Sequence, residues 1–122
     1  MNFSMRGIRG ATCVSANDAA EILEATTELL QEIKQKNSLA RDDIAAVIFS
    51  MTEDLDAVFP AEAARRLGWT YVPLFCTREI NVPGALPRCV RVLMLVNTAK
   101  TQREIRHIYL KEAAALRTDL QD

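Results

Sequence analysis

Arg88-Cys89-Val90-Arg91-Val92-Leu93-Met94-Leu95-Val96 is the stretch that decides the fold. Bulky and β-branched apolar residues run on without a turn residue, behind Gly84 and Pro87, which is the pattern of an interior β-strand. Arg91 is out of character there, because a guanidinium stays protonated at any relevant pH. Alternate side chains of a strand share a face, so Arg91 falls with Cys89, Leu93 and Leu95, opposite Val90, Val92 and Met94. A cation buried without a partner would cost several kcal/mol. The pattern therefore calls for an anion beside Arg91: a carboxylate of the protein, or a carboxylate or developing negative charge on a ligand. A structural ion pair, or an edge arginine snorkelling to water, would satisfy it equally.

Working back from this strand, Pro83-Gly84-Ala85-Leu86-Pro87 is a rigid connection. Before it, Tyr71 to Thr77 reads as a strand that Pro73, having no N–H, confines to an edge or a bulge. Glu79 follows, free to pair with Arg91, to pair with Arg78, or to face solvent. Ile44 to Met51 is a further strand, introduced by a short turn or helical segment at Arg41-Asp42-Asp43. Met5 to Val14 is strand-like at its end. Its Arg6-Gly7-Ile8-Arg9-Gly10 portion sets two arginines in backbone that permits close approach. Arg6 and Arg9 are either an anion site or solvated charges guarding an exposed strand.

The helices lie between these strands. Asp18 as N-cap, with Glu21 three residues on, resembles a capping box. Ile22, Thr26, Leu29, Leu30 and Ile33 then form one apolar stripe, suited to covering a sheet, and the helix should end near Asn37-Ser38. Phe59 to Gly68 is a shorter helix, with Pro60 in its first turn and Gly68 at C′. Arg65 and Arg66 suit the helix dipole in its last turn, which explains them without a ligand. The acidic loop Thr52 to Asp56 lacks the ligand spacing of a calcium loop and reads as solvated. After the polar turn 97–101, Ile105 to Leu110 alternates like a strand, and alanine-rich Lys111 to Leu116 favours helix by propensity.

The 122 residues suit a single domain, 1–122, with 49% apolar and 25% charged residues. A net charge of −1 leaves no basic excess for nucleic acid or an anionic membrane. Three cysteines without a CxxC pair, and one histidine, argue against a disulfide framework or a structural zinc site and suit a reducing cytoplasm. Met1 to Arg6 has no apolar core of a signal peptide, and no apolar run approaches the ~20 residues of a membrane span. The elements sum to an α+β fold, a mixed sheet of about five strands with helices on one face. The other face is left uncovered, which predicts a homo-oligomer.

Arg6-Gly-Ile-Arg9-Gly-Ala-Thr, Ala57-Val-Phe-Pro-Ala61, Gly68-Trp-Thr-Tyr-Val-Pro73, Cys89-Val-Arg91-Val, Ile105-Arg-His-Ile-Tyr109-Leu and Leu116-Arg-Thr-Asp-Leu120 follow one another in the chain. In this order and spacing they closely resemble the small monofunctional chorismate mutases of the AroH class, from about Met5 to Leu120. The resemblance implies a homotrimer, a pseudo-α/β-barrel with the sheets at its centre, and active sites in clefts between subunits. It implies the [3,3] rearrangement of chorismate to prephenate, on the way to phenylalanine and tyrosine, with no metal or organic cofactor.

Carried over by position, the resemblance makes Arg91 the cation at the ether oxygen of the substrate. Arg9 would hold a carboxylate, Glu79 would accept from the substrate hydroxyl, and Tyr109 would offer its phenol to a carboxylate. Phe59 and Leu116 would be apolar walls; Leu74, Phe75 and Cys76 would line the pocket; Arg65 and Arg117 would stand near its mouth. Glu62 stands where some relatives carry a lysine, Phe75 where many carry a smaller side chain, and Thr118 where proline is common after Arg117. It also suggests that Ile105 to Leu116 begins as strand and is less helical than propensity indicates. Two alternatives fit the same residues: a non-enzymatic trimeric binding protein for a small carboxylate, and an interaction subunit in which Arg91 and Glu79 are merely paired.

Overall fold

The computed structural model describes residues 3–116. Five strands, β1 (Ser4–Cys13), β2 (Ile44–Met51), β3 (Leu74–Arg78), β4 (Cys89–Thr98) and β5 (Ile108–Tyr109), form one sheet in the order β3-β2-β4-β1-β5. The sheet is mixed: β4 runs antiparallel to both neighbours, while β3 and β5 are parallel to theirs. The apolar run around Arg91 is thus the central strand. Pro73 sits immediately before edge strand β3, and its carbonyl accepts from Val47 N–H at 2.9 Å. The strand therefore begins at Leu74, three residues later than its composition suggests.

Two helices, α1 (Ala19–Lys36) and α2 (Ala61–Arg66), complete the fold. Asp18 caps α1 by accepting from Glu21 N–H at 2.9 Å. The Glu21 carboxylate, however, takes Ser15 N–H at 2.7 Å, while Asp18 N–H turns to Ala16 O, so the reciprocal bond of a capping box is replaced by a clamp on the entering loop. The predicted stripe Ile22, Thr26, Leu29, Leu30 and Ile33 is wholly buried. Gly68 closes α2 with φ +84°, a left-handed conformation that glycine adopts without strain.

Val92, Met94 and Val96 of β4, with Ile8, Val47 and Phe49, meet Leu29, Leu30 and Ile33 in the main core. At Gly10 the side chains of α1 come close upon β1: a Cβ there would lie 2.7 Å from Ile33 Cδ1 and 3.2 Å from Leu29 Cδ1. The opposite face of the sheet is open, leaving Phe75 65% and Leu93 37% exposed. Among the described residues only its β5 end carries a cover, where Tyr109, Ala113 and Leu116 pack on Ala11, Cys13 and Cys89. Lys111–Ala115 is a 3₁₀ turn, so the alanine-rich segment is tightly turned after two residues of strand and forms no α-helix.

Candidate active site

Strand register, not proximity in sequence, assembles the site. Thr77, Ser50, Arg91, Ala11 and Tyr109 are successive partners across β3, β2, β4, β1 and β5. Cross-strand partners share a face, so these five side chains form one row on the open side of the sheet. The next row holds Phe75, Ile48, Leu93 and Arg9. Arg9, Arg91 and Tyr109 are thereby brought to one surface from three strands. Glu79 joins them because the chain continues past β3 in the same ladder, with Glu79 N–H donating to Met51 O at 2.9 Å.

The Glu79 carboxylate takes the partner that sequence left open among three. Its Oε1 is 3.7 Å from Arg91 Nε, whereas Arg78 is occupied by the carbonyls of Thr52 and Leu55, at 2.7 and 2.8 Å. Ser50 Oγ donates to the same Oε1 at 2.6 Å. Ser50 was not among the residues expected from sequence. Its only signal is its register with Arg91, which needs the strand pairing. Glu79 also lines a cavity of about 150 Å³ with Thr52, Ile80, Leu86 and Pro87.

The expectation that Arg91 is sunk among hydrocarbon requires correction. Its side chain is 43% exposed, and that of Glu79 is 28% exposed. The strand is interior to the sheet, but the described residues leave the face that bears Arg91 uncovered. Arg9 is half-buried, and its backbone N–H donates to His107 Nδ1 at 2.9 Å, which fixes the turn before β5 against β1.

The remaining expected site residues divide. Leu116 and Tyr109 belong to the covered end of the open face. Leu74 and Cys76 point the other way, their side chains packed against the helix-side core, so they can offer the open face only backbone. Phe59 is 70% exposed just ahead of α2. Arg65 lines a separate cavity of about 370 Å³ with Trp69, Thr70, Val72 and Leu74, and also pairs with Glu62 at 3.2 Å. None of Arg9, Glu79, Arg91 or Tyr109 borders that cavity. Arg117 and Thr118 lie outside the described residues. No group of three or more His, Cys, Asp or Glu side chains among the described residues could hold a metal ion. No helix among them is long and apolar enough to cross a membrane.

A family model described as chorismate mutase type I matches residues 5–120. This chain belongs to that family. Two relatives called chorismate mutase AroH align over nearly the full length. The one from Thermus thermophilus is 50% identical, covering 96% of this chain and 97% of the relative. The one from Bacillus subtilis (strain 168) is 47% identical, covering 95% and 92%. A solved structure of a chorismate mutase from Clostridium thermocellum superposes with a TM-score of 0.89 at 53% identity, covering 90% of this chain and 98% of that one. Membership of the type I family agrees with the order of motifs in the sequence and with the mixed five-stranded sheet.

Proposed function

We propose that this chain is a cytoplasmic chorismate mutase that converts chorismate to prephenate, and that it works as a homotrimer with a site between neighbouring subunits. The observation that carries the reading, in a chain of this family, is the placement of Arg91 and Glu79 side by side on an uncovered sheet face, with Arg9 and Tyr109 on the same surface.

The substrate carries two carboxylates and a hydroxyl. Its rearrangement is concerted: the ether C–O bond breaks as a C–C bond forms, with no proton transfer and no covalent intermediate. A protein can hold the compact conformer in which the reacting carbons approach. It can also stabilise the negative charge that builds on the ether oxygen. Accelerations at the low end of the enzymatic range correspond to ~8 kcal/mol, within reach of these two effects.

Arg91 is the cation for the ether oxygen. Held towards Glu79 through Nε, it keeps the other N–H donors of its fork for the substrate. Arg9 and Tyr109 are donors for the carboxylates. Glu79 accepts from the hydroxyl, and the bond from Ser50 to Oε1 orients its carboxylate.

Phe59 and Arg65 stand apart from this group in one chain. A second copy laid against the open face would bring its own edge to Arg91, supplying the apolar wall and the mouth. It would also cover Phe75 and Leu93, and water exclusion would strengthen every charge contact inside.

Incubation with chorismate, followed through loss of its diene absorbance and appearance of prephenate, tests the proposal. Turnover supports it. Absence of turnover by the assembled protein rejects it in favour of a carboxylate-binding or interaction role.

A further inference from the structure

Cys13 ends β1 and Cys89 begins β4, and the two are direct partners in the antiparallel ladder although 76 residues separate them in the chain. Their Sγ atoms are in contact at 2.7 Å, and both residues are buried, at 3% and 2% exposure. The adjoining pair is joined by Val14 N–H to Arg88 O at 2.9 Å, which makes Cys13 and Cys89 a non-hydrogen-bonded pair. Such pairs hold their Cα atoms about 4.5 Å apart. Disulfides span Cα separations of roughly 4.4–6.8 Å. A bond between these sulfurs thus requires no strand to move.

We propose that Cys13 and Cys89 are a redox modification site, closing to a cross-strand disulfide in the presence of a low-molecular-weight disulfide such as oxidised glutathione. Cys76, on the opposite face and packed towards the helices, takes no part.

One protein thiolate attacks the oxidant and releases one glutathione thiolate. The second protein thiolate then attacks the protein sulfur of the mixed disulfide and releases the other. The two protein thiols give up two electrons to the glutathione disulfide, and their two protons go to the leaving thiolates. Burial raises the pKa of both thiols. Either sulfur of the contact can be the donor, so either thiol can react first. The pair lies at strand ends, beneath the short cover of Ala113 and Leu116, so the oxidant can reach it only through local opening there. Once one sulfur is trapped, its neighbour is already in contact with it. The reaction should be slow at neutral pH and faster in mild alkali.

The test uses the native full-length protein with millimolar oxidised glutathione at mildly alkaline pH, followed by acid quench and peptide mass mapping. The expected product is a bridged peptide pair containing Cys13 and Cys89, lighter by two hydrogens and restored by dithiothreitol. The unfolding midpoint should rise by several degrees, and Cys13→Ser should abolish both changes. Recovery of Cys13 and Cys89 as free thiols, as separate glutathione adducts, or bridged to Cys76 would overturn the proposal. The mapping does not depend on chorismate turnover, so it stands or falls apart from the enzymatic reading.

Discussion

Ser50 Oγ donates to Glu79 Oε1 at 2.6 Å, and that same oxygen faces Arg91 Nε at 3.7 Å. The serine thus restrains a carboxylate that would otherwise be drawn wholly onto the arginine. A hydrogen bond to a charged group contributes about 1.5–3 kcal/mol. Removing it with Ser50→Ala should lower kcat/KM for chorismate by roughly tenfold or more. Ser50→Thr, which keeps a hydroxyl, should recover part of the loss. Steady-state rates that are the same in wild type and Ser50→Ala would contradict this role.

Arg91→Lys keeps the charge but loses the planar fork. A lysine ammonium cannot reach the ether oxygen and a carboxylate together. Its kcat should fall by about a hundredfold or more, with a much smaller change in KM, as expected for an interaction made mainly in the transition state. The split between kcat and KM is the measurement, and an unchanged kcat would remove Arg91 from the chemical step.

Leu93 stands in the central strand, on the uncovered face, one row from Arg91. If copies of the chain pack there, Leu93→Glu places three charges near one interface. Sedimentation should then show monomers, and activity should fall with assembly. Intact trimers carrying this substitution would place the subunit interface elsewhere.

Gly10→Ala tests the tight packing of α1 on β1. The new methyl would lie 2.7 Å from Ile33 Cδ1. It would also sit 3.3 Å from the Ile108 carbonyl oxygen, so the Ile33 side chain must shift within a filled core. Overpacking of this kind costs typically about 1–3 kcal/mol. Thermal unfolding should begin several degrees lower, while Gly7→Ala, on the open face, should cost less.

Glu21 is held below its ordinary value of 4.5, chiefly by the Ser15 backbone and hydroxyl donors. Its folded-state pKa is lower than its unfolded one, so its contribution is complete above the unfolded value and is lost as pH falls through the folded value. Glu21→Gln should therefore be less stable than wild type at neutral pH, and the gap should narrow below pH 4.5. Denaturant titrations across this range measure it. A gap that widens in acid would reverse the assignment.

Local pattern reached most of the elements. The stripe from Ile22 to Ile33, the Asp18 cap, Pro73 at a sheet edge and the two faces of β4 all follow from periodicity and backbone chemistry within a few residues. What covers a face does not follow from the strand that carries it, and so Arg91 read as buried although its face is open. The partnership of Ser50 with Glu79 at the candidate site, and that of Cys13 with Cys89 at the strand ends, join residues 29 and 76 positions apart. Nothing local marks either pair until the strand order is known. The direction of Leu74 and Cys76 was likewise fixed by where Pro73 lets the β3 ladder begin.

The middle strand of the sheet is among the last to be synthesised. β4 completes the ladder to β1 by pairing Ser4 with Thr98, and it also supplies the link to β2. Until Cys89–Thr98 has left the ribosome, β1 and β2 have no strand between them to pair with, and only helix contacts can join the two halves of the sheet. The nascent chain must hold Ile8, Val47 and Phe49 without their partners Val92 and Met94, a long wait for contacts of high sequence separation. A stalled or truncated product ending before Cys89 should accordingly be a client for chaperones and proteases, with no partly folded enzyme to rescue.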